Sequence, residues 1–127
     1  MPKKLSDYQI FKREVEKWRV RLGMVDWSIQ VTNRPYDDPD TSATTQADID
    51  NRMIQINFSS SCPNHGSRED IKLAGFHEIW EGQFWKLRQM AAEMYSFDQV
   101  NAEVHRLIVL LENVLGKGAK SKRGSNK

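Results

Sequence analysis

Residues 71 to 88, IKLAGFHEIWEGQFWKLR, constrain the fold more than any other stretch of the chain. On a helical wheel of about 100° per residue, His77 and Glu81 stand about 40° apart, flanked by Leu73 and Phe84 on one side and Ala74 and Trp85 on the other. Phe76, Ile79, Trp80 and Leu87 fill the remaining directions. A helix that is apolar nearly all round must be central, with neighbours on most of its faces. His77, Glu78 and Glu81 within it then need a partner, a metal or a cleft open to water, because burying an unpaired charge costs roughly several kcal/mol.

The flanking segments supply those neighbours. Ser6-Asp7 caps a predicted helix over residues 7 to 22, with Tyr8, Phe11, Val15, Trp18, Val20 and Leu22 at helical spacing and Gly23 as its stop. Trp27, Ile29 and Val31 alternate with polar residues, the period-two pattern of a half-buried strand. The turn formers of residues 34 to 40 lead into Ala43 to Ile49, a polar strand suited to a sheet edge, and Asp50-Asn51 marks a hairpin into a third strand at Met53 to Phe58. Ser67 with Glu69 and Asp70 opens the central helix, predicted to run to about Met94 with possible interruptions at Gly75 and Gly82. Ser96-Phe97-Asp98 restarts a last helix, whose stripe of Val100, Val104, Leu107, Ile108, Leu111 and Leu115 ends at Gly116. The expected architecture is α+β: an N-terminal helix, a small three-stranded sheet, then two long antiparallel helices. It forms one domain over residues 1 to 116, followed by a basic disordered tail at 117 to 127.

His77-Glu78-Ile79-Trp80-Glu81 differs from the His-Glu-x-x-His motif of zinc peptidases only in its last residue. Two ligands at i and i+4 can approach one ion from consecutive turns, and a Glu directly after the first can take a proton from water beside the ion. His77 and Glu81 are therefore candidate zinc ligands and Glu78 the candidate general base. A third ligand must come from the last helix, since the 21 residues between Glu81 and Glu103 allow an antiparallel return. Glu103 lies about 90° from the centre of that helix's apolar stripe and His105 about 110° away on the other flank. Facing slightly favours Glu103, whereas the common pairing of two histidines with one carboxylate favours His105, so both stand as candidates.

The order of these pieces resembles that of small phage and prophage zincin-like metallopeptidases. The matching segments are Leu22 to Ile29, the Ala47 to Phe58 hairpin with Arg52, His77 to Glu81, and Glu103-Val104-His105-Arg106 followed by Leu111-Glu112, within residues 7 to 115. The resemblance implies that His77 is a ligand, that Glu78 is the general base and that the Glu103 region supplies the third ligand, with Glu103 ahead of His105. The departure is Glu81 in place of the second histidine. A carboxylate there can hold zinc, and it is also the substitution expected in a relative that keeps the fold and has lost the chemistry.

With 39% hydrophobic and 28% charged residues, most of the chain is expected to fold. The single cysteine, Cys62, allows no intrachain disulfide, and no apolar run has the length of a membrane span, so the expected setting is cytoplasmic, the host cytoplasm for a phage-encoded chain. Cys62 and His65 lie in a Pro-Asn-His-Gly turn and are expected to be structural. Lys117, Lys120, Lys122, Arg123 and Lys127 carry the chain's excess positive charge, so nucleic-acid binding is expected only through the tail. The leading expectation is a zinc-dependent peptidase acting on a peptide or protein. The alternative is an inactive zincin-fold protein that binds a protein partner as a phage accessory or anti-defence factor. Any DNA or RNA retention should disappear in a chain truncated at Gly116, and electrophoretic mobility shift at low salt checks this.

Overall fold

The computed structural model describes residues 5–116. The basic segment from Lys117 onward lies outside the described residues. The order is α1 (Asp7–Arg21), β1 (Ser28–Asn33), β2 (Ala43–Asp48), β3 (Met53–Phe58), α2 (Arg68–Gln83), α3 (Trp85–Ala91) and α4 (Phe97–Leu111), closed by a π-helical turn at Glu112–Gly116. The expected α+β arrangement is thus present. Ser6, Ser67 and Ser96 each start a helix in the same way: the hydroxyl accepts a backbone N–H three residues on, and the side chain of Gln9, Asp70 or Gln99 reaches back to the cap's own N–H.

The sheet order is β1-β3-β2, with β1 parallel and β2 antiparallel to β3. Both outer strands are therefore edges, and the polar β2 is one of them, paired from Ala43↔Phe58 to Asp48↔Met53. One sheet face carries Ile54, Ile56 and Phe58, buried under α1 and α2 with Phe11, Val15, Trp18, Ile71, Phe76 and Ile79. Phe11 stacks on Phe58 at 4.7 Å between ring centroids, and Phe76 meets Trp18 edge-on at 4.7 Å. A second cluster of Val100, Val104 and Ile108 holds α4 against Trp80 and Phe84.

Gly75 and Gly82 do not interrupt the central helix. Seven residues apart, they share one face of α2 and let it approach its neighbours closely. A Cβ on Gly75 would stand 3.1 Å from the carbonyl oxygen of Phe11 and 3.2 Å from the Cβ of Glu14, and one on Gly82 would meet Ile54 Cδ1 at 2.8 Å. The break comes instead at Phe84, whose ψ of 1° ends α2, so the helix expected to reach Met94 is two segments meeting at a kink. Helical hydrogen bonds from Phe84 N to the Trp80 carbonyl and from Arg88 N to the Phe84 carbonyl keep the segments nearly continuous. The last helix likewise departs from the expected span, since its α-helical part stops at Leu111. In α1, Val20 belongs to the solvent face, and Ile10 takes its place in the core.

Because the atoms facing Gly75 belong to backbone and to a Cβ, neither can rotate away. Gly75→Val is expected to lower stability by about 2 kcal/mol through overpacking, which would appear in urea unfolding as a lower midpoint with an unchanged slope.

Candidate metal centre

The same glycine face determines where the polar residues of α2 point. At about 100° per residue, His77 and Glu81 lie roughly 200° to 240° round from Gly75, away from α1, while Glu78 turns toward β2. His77, Glu78 and Glu81 line a cavity of about 330 Å³ together with Ala43, Thr44 and Thr45 of the β2 edge, Arg88 of α3 and His105 of α4.

His77, Glu81 and His105 each offer a ligand atom, and these atoms all lie within 4.8 Å of one another. Glu81 Oε2 is 3.2 Å from His77 Nε2, and the His77 and His105 rings stand 5.2 Å apart between centroids. Nδ1 of His77 faces the other way, 2.8 Å from Glu112 Oε2. Arg88 bonds the second oxygen of Glu81 across the kink and stacks over Trp85, 5.4 Å from the ring centroid. Glu78 is buried; its Oε1 accepts a 2.7 Å hydrogen bond from the Thr45 hydroxyl, which also reaches the Glu78 carbonyl at 3.1 Å.

Of the candidates read from the sequence, His77, Glu78, Glu81 and His105 come together, and Glu103 does not. Glu103 is turned to solvent, held by Arg106 at 3.0 and 2.6 Å, and borders an apolar groove with Leu87 and Tyr95. Two residues further along α4, His105 is rotated by about 200° onto the cavity side. The Cys62/His65 turn stays apart from the centre: Cys62 is buried, and His65 Nε2 lies 3.1 Å from Asp7. Trp80 packs between Phe76 and Phe84 as core.

Sequence reasoning missed Thr45, Arg88 and Glu112, although each has a sequence signal. Thr45 is the polar member of the inward-facing row Ala43, Thr45, Ala47. Arg88 follows Glu81 by seven residues and Glu112 follows His105 by seven, and that spacing returns a helix to the same face after two turns.

Burial alone would lower the His77 pKa, but hydrogen bonds to Glu112 and Glu81 and the charges of Glu78 and Glu112 overcome it and push it up to about 10. Burial pushes the Glu78 carboxyl above its ordinary range, opposed by the Thr45 hydrogen bond and the charge of His77. Burial acts in the same direction on Glu81, yet the hydrogen bond from His77 and the charge of Arg88 hold it below the ordinary range.

The donor set suits zinc: two imidazoles and a carboxylate are a common ligand trio, and a carboxylate behind the first imidazole is the usual outer contact of a zinc-bound histidine. The donors are spread wider than the roughly 3.4 Å between neighbours in a tetrahedral zinc shell, and His105, the exposed member, has the freedom to close the gap. The charges agree. With His77 neutral and Glu78 ionised, Glu78, Glu81 and Glu112 around His77 carry three negative charges against the one guanidinium of Arg88, an excess of two that a dication offsets. Without the ion, the proton held on His77 offsets part of this excess.

Searches for similar proteins found no match among protein-family models, curated proteins or solved structures.

Zinc must displace the His77 proton, whose pKa of about 10 lies above neutral pH. Binding at pH 7 should release at least one proton, and apparent affinity should rise about tenfold per pH unit from pH 6 to 8. Titration calorimetry in buffers of different ionisation enthalpy counts the protons, and zinc uptake without proton release would contradict this picture of His77.

Proposed function

We propose that the chain is a small zincin-like zinc hydrolase that cleaves peptide bonds, of the kind found in phages and prophages. The observation that carries this reading is the convergence of His77, Glu81 and His105 beside a buried Glu78, next to the edge strand β2. His77, Glu81 and His105 would hold the ion. Zinc there supplies a Lewis acid that polarises a carbonyl and acidifies water.

The remaining work falls to the protein. Glu78, aimed by Thr45, accepts the proton of the attacking water and passes it to the leaving nitrogen. β2 pairs with β3 along one side only, so its other side has backbone groups available to an extended peptide. Because Ala43, Thr44 and Thr45 also line the cavity, a peptide added to that edge runs past Glu78. Arg88 holds one oxygen of Glu81, leaving the other toward His77.

A second reading has its own observation. Arg88 with Glu81 and protonated His77 with Glu112 form two charge pairs that need no ion. This supports an inactive zincin-fold protein acting as a phage accessory or anti-defence binding protein, in which Glu81 is hydrogen-bonded to His77 and paired with Arg88 and holds no metal.

Zinc content of tag-free protein, purified without chelator and measured by plasma mass spectrometry, separates the two. About one zinc per chain, lost in His77→Ala, is the outcome expected of the hydrolase, whereas no uptake even after zinc is added favours the binding protein. In the zinc-loaded protein, Glu78→Gln should lower peptide turnover by about 100-fold or more while zinc content is retained. Turnover equal to wild type would rule out Glu78 as the base.

A further inference from the structure

Glu112 lies outside the motif helix and 35 residues from His77, yet its carboxylate meets the imidazole nitrogen that faces away from the other candidate ligands. We propose that Glu112 is the positioning residue of the centre. By accepting the Nδ1 proton of His77, it sets the tautomer and ring plane that present Nε2 to the ion. The proposal rests on the zinc reading of the site and names a residue that the motif does not contain.

Several independent features of the structure converge on this assignment. A neutral imidazole carries one N–H, and the nitrogen that bears it decides which lone pair is available to a metal. In His77 the two nitrogens have different partners, Glu112 at Nδ1 and Glu81 at Nε2. The His77 and Glu112 side chains are only 17% and 12% exposed, so water competes weakly for the contact. Among the described residues, His77 is the one hydrogen-bond partner of the Glu112 carboxylate.

The element that carries Glu112 is also unusual. At Glu112 the α-helix gives way to a π-helical turn, a geometry concentrated at functional sites. Its preceding residue, Leu111, packs against the main core cluster, which anchors the backbone where the carboxylate leaves it. His105 and Glu112, seven residues apart, share one side of this helix. A single element thus delivers the third candidate ligand to one side of His77 and an acceptor to the other. Glu81 cannot fill Glu112's role, because it approaches Nε2 and belongs to the donor group with His105.

The test compares wild type, Glu112→Met, which fills a similar volume without an acceptor, and Glu112→Gln, whose amide oxygen still accepts from Nδ1. Zinc dissociation constants come from competition with a chromophoric chelator, and the His77 tautomer from ring-nitrogen shifts in zinc-loaded, ¹⁵N-histidine-labelled protein. Glu112→Met should bind zinc about 10- to 100-fold more weakly and lose the single Nδ1–H pattern of His77. Glu112→Gln should retain that pattern and recover most of the affinity. Should Glu112→Met fail to fold in a thermal melt, Glu112→Gln decides alone: retained affinity supports the positioning role, and affinity lost with the charge overturns it. Wild-type affinity with an unchanged His77 pattern in Glu112→Met would overturn this assignment and leave the zinc site standing. Wild-type protein that takes up no zinc would overturn both.

Discussion

The close approach of α2 to α1 and β3 is the constraint on which the rest of the structure depends. A helix with apolar residues in nearly every direction is stable in water only when surrounded, and Gly75 admits the α1 backbone at Phe11 while Gly82 admits the Ile54 side chain of β3. With that face pressed against Phe11, Glu14 and Ile54, Phe76 and Ile79 fall into the main core, and His77 and Glu81 are left pointing the other way. The polar residues are thus buried as a consequence of packing, not in spite of it. α4 then closes the far side through Val100, Val104 and Ile108 and brings His105 and Glu112 with it.

That burial makes the electrostatics demanding. Glu78, Glu81, His77 and Arg88 are gathered from α2 and α3 into one half-enclosed space, with Glu112 of the closing turn behind His77, and an uncompensated charge there is expensive. Its excess negative charge can be offset by the proton on His77 or by a dication that replaces that proton. Each side chain nevertheless has a distinct environment. Glu78 is the most deeply buried of the three carboxylates and has a hydroxyl partner, Glu81 is tied to a guanidinium, and Glu112 addresses the back of His77. Pairs of carboxylates whose surroundings push their proton affinities in opposite directions, as Glu78 and Glu81 do here, are the arrangement in which one group can move a proton while its neighbour stays charged.

Much of the local structure was legible in the chain because it is written in short-range patterns. Three serine caps, the alternation of β1 and β3, the polar edge strand and the apolar stripe of α4 depend on residues within a few positions of one another. The kink at Phe84 was not legible, since no proline or glycine occupies that position and helical hydrogen bonds span it on both sides. Gly75 and Gly82 were visible as exceptions, but their meaning was not, because a glycine that ends a helix and one that admits a neighbour look the same in isolation. Glu103 was favoured over His105 by a small angular difference on the wheel, and the observed orientation of α4 reverses that preference.

The sequence by itself determined that a central, apolar helix would carry His77, Glu78 and Glu81 on adjacent faces, because helical periodicity alone sets those directions. It also determined that a last helix would return with a stripe able to cover them. Only the tertiary structure decided which side of that helix faces the cavity, and therefore that His105 and Glu112 join the cluster while Glu103 pairs with Arg106 in solvent. It likewise joined Thr45 to Glu78 across 33 residues and Arg88 to Glu81 across a kink. The physical reason is that periodicity specifies angles within one helix, whereas the rotation of one helix against another is set by the packing of both, through Val100, Val104 and Ile108 on α4 and Trp80 and Phe84 on its neighbour.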